Sequence, residues 1–171
     1  MKSPSLDFRA ITPFDVEFLG DVYASTRWEE MSVAGWPDAQ KRAFLRQQFD
    51  FQTRDWDRTY PHAQREIILV DGEPAGRLYI HRNMTEHDLR VVDIALLPAF
   101  RNRGIATRIF HNLFEEGDRL GWKVSIHVEQ QNPARHLYTR LGFAPVRTTN
   151  GIYVLMERNA APVASAVSAG A

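Results

Sequence analysis

The sequence predicts an α/β domain of the α+β type: a mixed, mostly antiparallel central sheet flanked by helices, in the order βααβββαβαββ. Three observations carry this. Apolar runs of strand length recur, among them IILV, VVDIALL and KVSIHV. Turn dipeptides, Asp71-Gly72 and Asn150-Gly151, join neighbouring runs into hairpins. Between the hairpins an amphipathic helix separates two strands, the crossover that parallel neighbours need.

Each element follows in order. FRAI is the first strand. Thr12 is an N-cap, with Pro13 at the first helical position and Asp15 three residues on as in a capping box. Phe14, Phe18, Val22 and Leu19, Tyr23 then form one apolar stripe. STRWEEMSVAGW reads as a polar and aromatic connection. A second helix starts after Trp36-Pro37-Asp38 and carries Phe44, Leu45 and Phe49. Glu66 to Val70 and Ala75 to His81 are strands joined by the turn Asp71-Gly72-Glu73-Pro74. Leu89 to Leu97 is the most apolar strand, interrupted by Asp93 and ended by Pro98. Gly104 to Leu120 is an amphipathic helix with rows Ile105, Ile109, Leu113 and Ala106, Phe110, Phe114, stopped by Gly121. Lys123 to Val128 alternates as a strand, and Asn132 to Leu141 is a short helix ended by Gly142. Ala144 to Thr149 and Ile152 to Glu157 close the chain as a hairpin.

Composition narrows the function classes. The 171 residues suit one domain, expected over residues 8–158, with an Ala/Ser/Val-rich tail over 159–171 that lacks large apolar groups to order it. Lys+Arg and Asp+Glu are both 21, so the net charge is zero, which argues against a nucleic-acid binder. No cysteine is present, which removes thiolate metal sites and a cysteine nucleophile. No run approaches the roughly 18 apolar residues of a membrane span, and the N-terminus lacks the apolar core of a signal peptide. A cytoplasmic setting without membrane partners is the expectation. The histidines show no metal-ligand spacing, so no metal is expected.

The most informative segment is Leu96-Leu97-Pro98-Ala99-Phe100-Arg101-Asn102-Arg103-Gly104-Ile105-Ala106-Thr107. A strand ends, a basic turn follows, and a helix begins on small residues. Free N–H groups and the helix dipole at such a start favour a phosphate, and Arg101, Arg103 and Arg108 add local positive charge. The pattern Arg101-x-x-Gly104-x-Ala106 resembles the pyrophosphate motif of the GNAT superfamily of acyl-CoA-dependent N-acetyltransferases. Downstream, Asn132-Pro133-Ala134-Arg135-His136-Leu137-Tyr138-Thr139-Arg140-Leu141-Gly142-Phe143 is similar to that family's second signature, an Asn-led helix ending Leu-Tyr-x-x-x-Gly-Phe.

The resemblance implies a GNAT-like fold and a set of roles. Acetyl-CoA is the co-substrate. The backbone of Ile94, Ala95 and Leu96 pairs with its pantetheine arm as an added strand would, and a backbone N–H near Leu96 stabilises the carbonyl oxygen. Arg101, Asn102, Arg103, Gly104, Ile105, Ala106 and Thr107 hold the pyrophosphate. Asn132 contacts the coenzyme arm, and Tyr138 is the general acid for the departing thiolate. Three residues are candidates for the base: Asp93, a carboxylate in an apolar run; His127, where many family members carry a glutamate; and Glu129. If their strands are parallel neighbours, Asp93 can orient His127. The acceptor site falls to the first inter-helix connection, with Glu29 and Glu30 for an ammonium and Trp28 to pack on it.

Direct acetyl transfer to a primary amine of a small molecule or peptide is therefore the leading expectation, with a homodimer as a frequent assembly. The alternative is an acyl-CoA-binding sensor module without turnover, which the presence of Tyr138 disfavours. A DNA-binding reading of RNRGIATRIF is disfavoured by charge neutrality and by the strand before the helix.

Overall fold

A computed structural model describes residues 3–162. The elements are β1 (Leu6–Ala10), α1 (Val16–Ser32), α2 (Asp38–Thr59), β2 (Gln64–Val70), β3 (Glu73–Asn83), β4 (Asp88–Leu96), α3 (Ile105–Leu120), β5 (Lys123–Glu129), α4 (Ala134–Arg140), β6 (Ala144–Thr149) and β7 (Tyr153–Arg158), with short 3-10 turns at Pro13–Asp15 and Pro98–Phe100. The order of helices and strands is the predicted one. The strands pair as β1-β2-β3-β4-β5-β7-β6. β1–β2, β2–β3, β5–β7 and β6–β7 are antiparallel. β4 and β5 are parallel, with Val91 opposite Ile126, as the α3 crossover requires.

Two compact units make up the chain: residues up to His81 together with Val92–Ile105, and Arg82–Val91 together with residues from Ala106 on. In the first, Leu19 and Tyr23 of α1 pack with Leu45 and Phe49 of α2 and Ile67 of β2. In the second, Phe110, Phe114, Tyr138 and Phe143 form a cluster of tilted and edge-on rings with centroids 5.4–6.1 Å apart.

Local chemistry explains where the structure departs from the sequence reading. The connection STRWEEMSVAGW is mostly helix. The hydroxyls of Ser25, Thr26 and Ser32 donate to the carbonyls of Val22, Tyr23 and Glu29 at 2.7, 2.7 and 2.5 Å, so residues that read as loop formers stay within α1. Phe14 leaves the expected stripe, 96% exposed on the 3-10 turn that precedes the helix. Pro74 lies in β3 beside a register shift at Ile68/Leu69, where a missing N–H is tolerated. Of the expected tail, residues 163–171 lie outside the described residues, while the Ala161 amide donates to Asp118 Oδ1 at 2.7 Å. Among the described residues, no helix is long and apolar enough to cross a membrane.

Candidate functional site

The strand–turn–helix segment has the local form that phosphate binding needs. β4 ends at Leu96, and the chain reaches α3 through residues whose backbone is left-handed at Asn102 (φ 57°) and Gly104 (φ 73°). No heavy atom lies within 4 Å of a Cβ built on Gly104, so its glycine serves the dihedral rather than a tight contact. Asn102, Arg103 and Gly104 are exposed, Ala106 and Thr107 half-buried. The first amides of α3 have no intrahelical acceptors. These features fit a diphosphate.

The arginines divide. Arg101 Nε donates to the Leu96 carbonyl at 2.8 Å, and its Nη2 donates to Ser25 O and Oγ at 3.2 and 3.1 Å. It closes the turn onto α1. Arg103 lies over the Phe100 ring at 5.7 Å and lines an open cleft of about 370 Å³ with Ser3, Pro4, Ser5 and Asp71. Upstream, β3 approaches β4 closely: the Leu97 amide donates to Ala75 O at 2.8 Å, and a Cβ on Gly76 would lie 2.0 Å from the Ala95 carbonyl oxygen. Only glycine fits there, beneath the strand segment Ile94–Leu96.

Asp93 has a partner that the sequence reading missed. Arg77 of β3 is buried, its side chain 2% exposed, and its Nε donates to Asp93 Oδ2 at 2.6 Å. Arg77 Nη2 donates to Gln52 Oε1 at 3.2 Å, and the guanidinium lies 5.3–5.9 Å from the ring centres of Tyr23, Phe49, Trp56 and Tyr79. His127 has a different partner from Asp93. Arg90 of β4 places Nη1 3.0 Å from His127 Nδ1. Arg90 Nε donates to Ser125 Oγ at 2.5 Å and Nη2 to Asp88 Oδ2 at 3.2 Å. The hydroxyl of Ser125 lies 2.7 Å from both oxygens of Asp88, and both residues are buried. Burial, then Arg90 and Arg147, hold His127 below the ordinary imidazole range, against a smaller opposite effect of Asp88.

Tyr138 is buried on α4, with ring centres 5.4 Å from Phe110 and 5.8 Å from Phe143. Asn132 stands just before α4, and its Oδ1 accepts the Ala134 amide at 2.9 Å. The expected acceptor loop is not a loop, since Trp28, Glu29 and Glu30 all lie on α1. Trp28 packs at the edge of the core under the cations of Lys41 and Arg42, each 5.4 Å from its ring, and Glu30 pairs with Arg27 at 3.1 Å. The chain's own charges already engage Trp28 and Glu30. Arg77, Arg90, Asp88 and Ser125 went unread; the available signal was a charged residue inside an otherwise apolar strand, as in GRLYI and LRVV.

The acetyltransferase (GNAT) family model matches residues 24–143. No curated protein matches by sequence. Among solved structures, the PaiA N-acetyltransferase of Thermoplasma acidophilum, in complex with coenzyme A, is 14% identical with a TM-score of 0.65, covering 91% of this chain and 99% of its own. An acetyltransferase from Thermus thermophilus is 21% identical with a TM-score of 0.65, covering 93% and 99%. A spermidine N-acetyltransferase chimera from Vibrio cholerae is 18% identical with a TM-score of 0.60, covering 90% and 95%. At these identities the likeness is one of fold.

Proposed function

The chain belongs to the GNAT acetyltransferase family, and from that premise we propose that it transfers an acetyl group from acetyl-CoA directly to a primary amine of a small molecule or peptide. The observation that carries the proposal is the open, left-handed turn at Asn102 and Gly104 leading into the bare start of α3. When bound, the coenzyme supplies the acyl group as an activated thioester.

The chain's own residues do the rest. Amides from Asn102 to Thr107 hold the pyrophosphate, with Arg103 beside them. The backbone of Ile94, Ala95 and Leu96 pairs with the pantetheine arm, and Gly76 keeps that stretch of β4 in place. Arg101 acts indirectly, by fixing the turn. Asn132 uses its amide nitrogen toward the coenzyme arm, its oxygen being engaged by the Ala134 amide. Tyr138, its ring held by Phe110 and Phe143, donates the phenolic proton to the departing thiolate. Asp93 receives the acceptor's N–H on the oxygen that Arg77 leaves. The chain contains no cysteine, consistent with direct transfer.

The test is Tyr138→Phe, which keeps the ring contacts and removes the proton. Turnover of acetyl-CoA with an accepted amine should fall about 10²–10⁴-fold, with little change in the KM for acetyl-CoA or in Tm. Unchanged kcat would remove Tyr138 from the acid role. If no amine in a broad panel drives thiol release from the wild type while coenzyme A still raises Tm, the chain senses acyl-CoA instead of turning it over.

A further inference from the structure

Arginine donates hydrogen bonds and accepts none. With Arg90 Nη1 3.0 Å away, His127 Nδ1 is therefore the acceptor atom, and the neutral ring carries its proton on Nε2. Arg90 is not free to turn, because buried Ser125 and Asp88 hold its other nitrogens. His127 thus presents a fixed donor on the far side of its ring. That nitrogen cannot take a proton from an incoming amine.

A second donor shares the same sheet face. The registers place His127 opposite Leu155, and Leu155 opposite Arg147, so the three side chains form one row across β5, β7 and β6. Arg147 is exposed, and among the described residues its side chain has no hydrogen-bond or ion-pair partner. Asp88 is buried under Ser125, Glu157 is bonded to Lys123 at 2.8 Å, and Glu129 stands at the end of β5. Around His127 the row offers hydrogen-bond donors and positive charge.

We propose that the acceptor carries a carboxylate in addition to its amine, and that His127 Nε2–H and Arg147 bind this carboxylate. The proposal names the substrate class of the acyl transfer set out above and rests on it. A neutral imidazole N–H and a guanidinium are a suitable pair for one carboxylate, since both donate and the cation supplies the charge. His127 and Arg147 are then specificity residues.

The experiment compares α-, β- and γ-amino acids and dipeptides, each as free acid and as carboxamide, in acetyl-CoA-dependent thiol release. The wild type should favour the free acids by about tenfold or more in kcat/KM, the scale of one charge-assisted contact. Arg147→Glu should bring the acid-to-amide ratio to one or below, mainly through KM, and Arg147→Lys should restore part of it. Equal use of acids and amides by the wild type, or an unchanged ratio in Arg147→Glu, would overturn the proposal. A readout independent of turnover is the Nε2–H signal of His127 in ¹⁵N NMR, titrated with the free acids. If that signal stays fixed, the carboxylate site is wrong even where thiol release is seen. If it moves while no compound of either form releases thiol, the carboxylate site stands and the acyl-transfer reading fails.

Discussion

Arg77 is held by its surroundings on every side that matters for charge. Its guanidinium has Asp93 at 2.6 Å, Gln52 at 3.2 Å and four aromatic rings around it, yet its buried Nη1 lacks a partner. Such a pair costs desolvation on both sides, so removing one charge is worse than removing both. Asp93→Asn should destabilise the fold by about 3 kcal/mol, because it leaves a buried cation uncompensated. Arg77→Met combined with Asp93→Asn should recover a large part of that loss, a non-additivity that urea unfolding of the single and double variants measures. Additive losses would show that Arg77 is stabilised by the rings rather than by Asp93. From the sequence, Asp93 was legible as a carboxylate in need of a partner. The partner was not, because Arg77 lies 16 residues away on another strand and is reached only through tertiary pairing. The neighbours of the expected acceptor residues were hidden for a related reason: Lys41 and Arg42 over Trp28 come from α2, reached only through the packing of the two helices.

Elements were legible where their signals are local. The entry to α1 is one case. The Thr12 amide and hydroxyl donate to Asp15 Oδ2 at 2.8 and 3.0 Å, the Asp15 amide donates to Thr12 O at 3.0 Å, and Arg9 holds the same carboxylate at 2.7 and 2.8 Å. The Arg9 guanidinium, followed by the Thr12 donors, keeps Asp15 far below the usual carboxylate range despite partial desolvation. A carboxyl with a lowered folded-state pKa contributes stability above its unfolded value near 4 and loses that contribution as pH falls from there toward the folded value. Asp15→Asn should therefore cost about 1–2 kcal/mol at pH 7 and much less at pH 3. Denaturant midpoints at the two pH values check it, and a gap of equal size at both would place the effect in packing. The end of α1 lacked so clear a signal, since Ser25, Thr26 and Ser32 bond equally well inside a helix or in a loop. Likewise, Asn150-Gly151 announced the β6–β7 hairpin, but nothing local says that β7, not β6, takes the place beside β5.

At the scale of the whole chain, β4 is divided between two compact units. β4 gives Asp88–Val91 to one unit and Val92–Leu96 to the other, and the chain passes back at Ile105/Ala106, in the first turn of α3. A coenzyme that binds only the folded chain should shift unfolding to higher temperature. With acetyl-CoA at a hundredfold excess over its Kd, linkage supplies about 2.7 kcal/mol. At about 2–4 °C per kcal/mol for a chain of this length, Tm should rise by about 5–10 °C. The equality of positive and negative residues bears on the same experiment. With 21 of each, the chain supplies little long-range attraction for an anion, and the site depends on helix-start amides and the adjacent Arg103. Raising the salt to a few tenths molar should then reduce the shift only modestly, because short-range hydrogen bonds are screened far less than a diffuse field. Calorimetry at low and high salt decides this. A Tm that does not move with millimolar acetyl-CoA would show that the turn at Asn102 and Gly104 is only a connection between β4 and α3. A shift that vanishes with salt would move the binding energy from the backbone to the arginines.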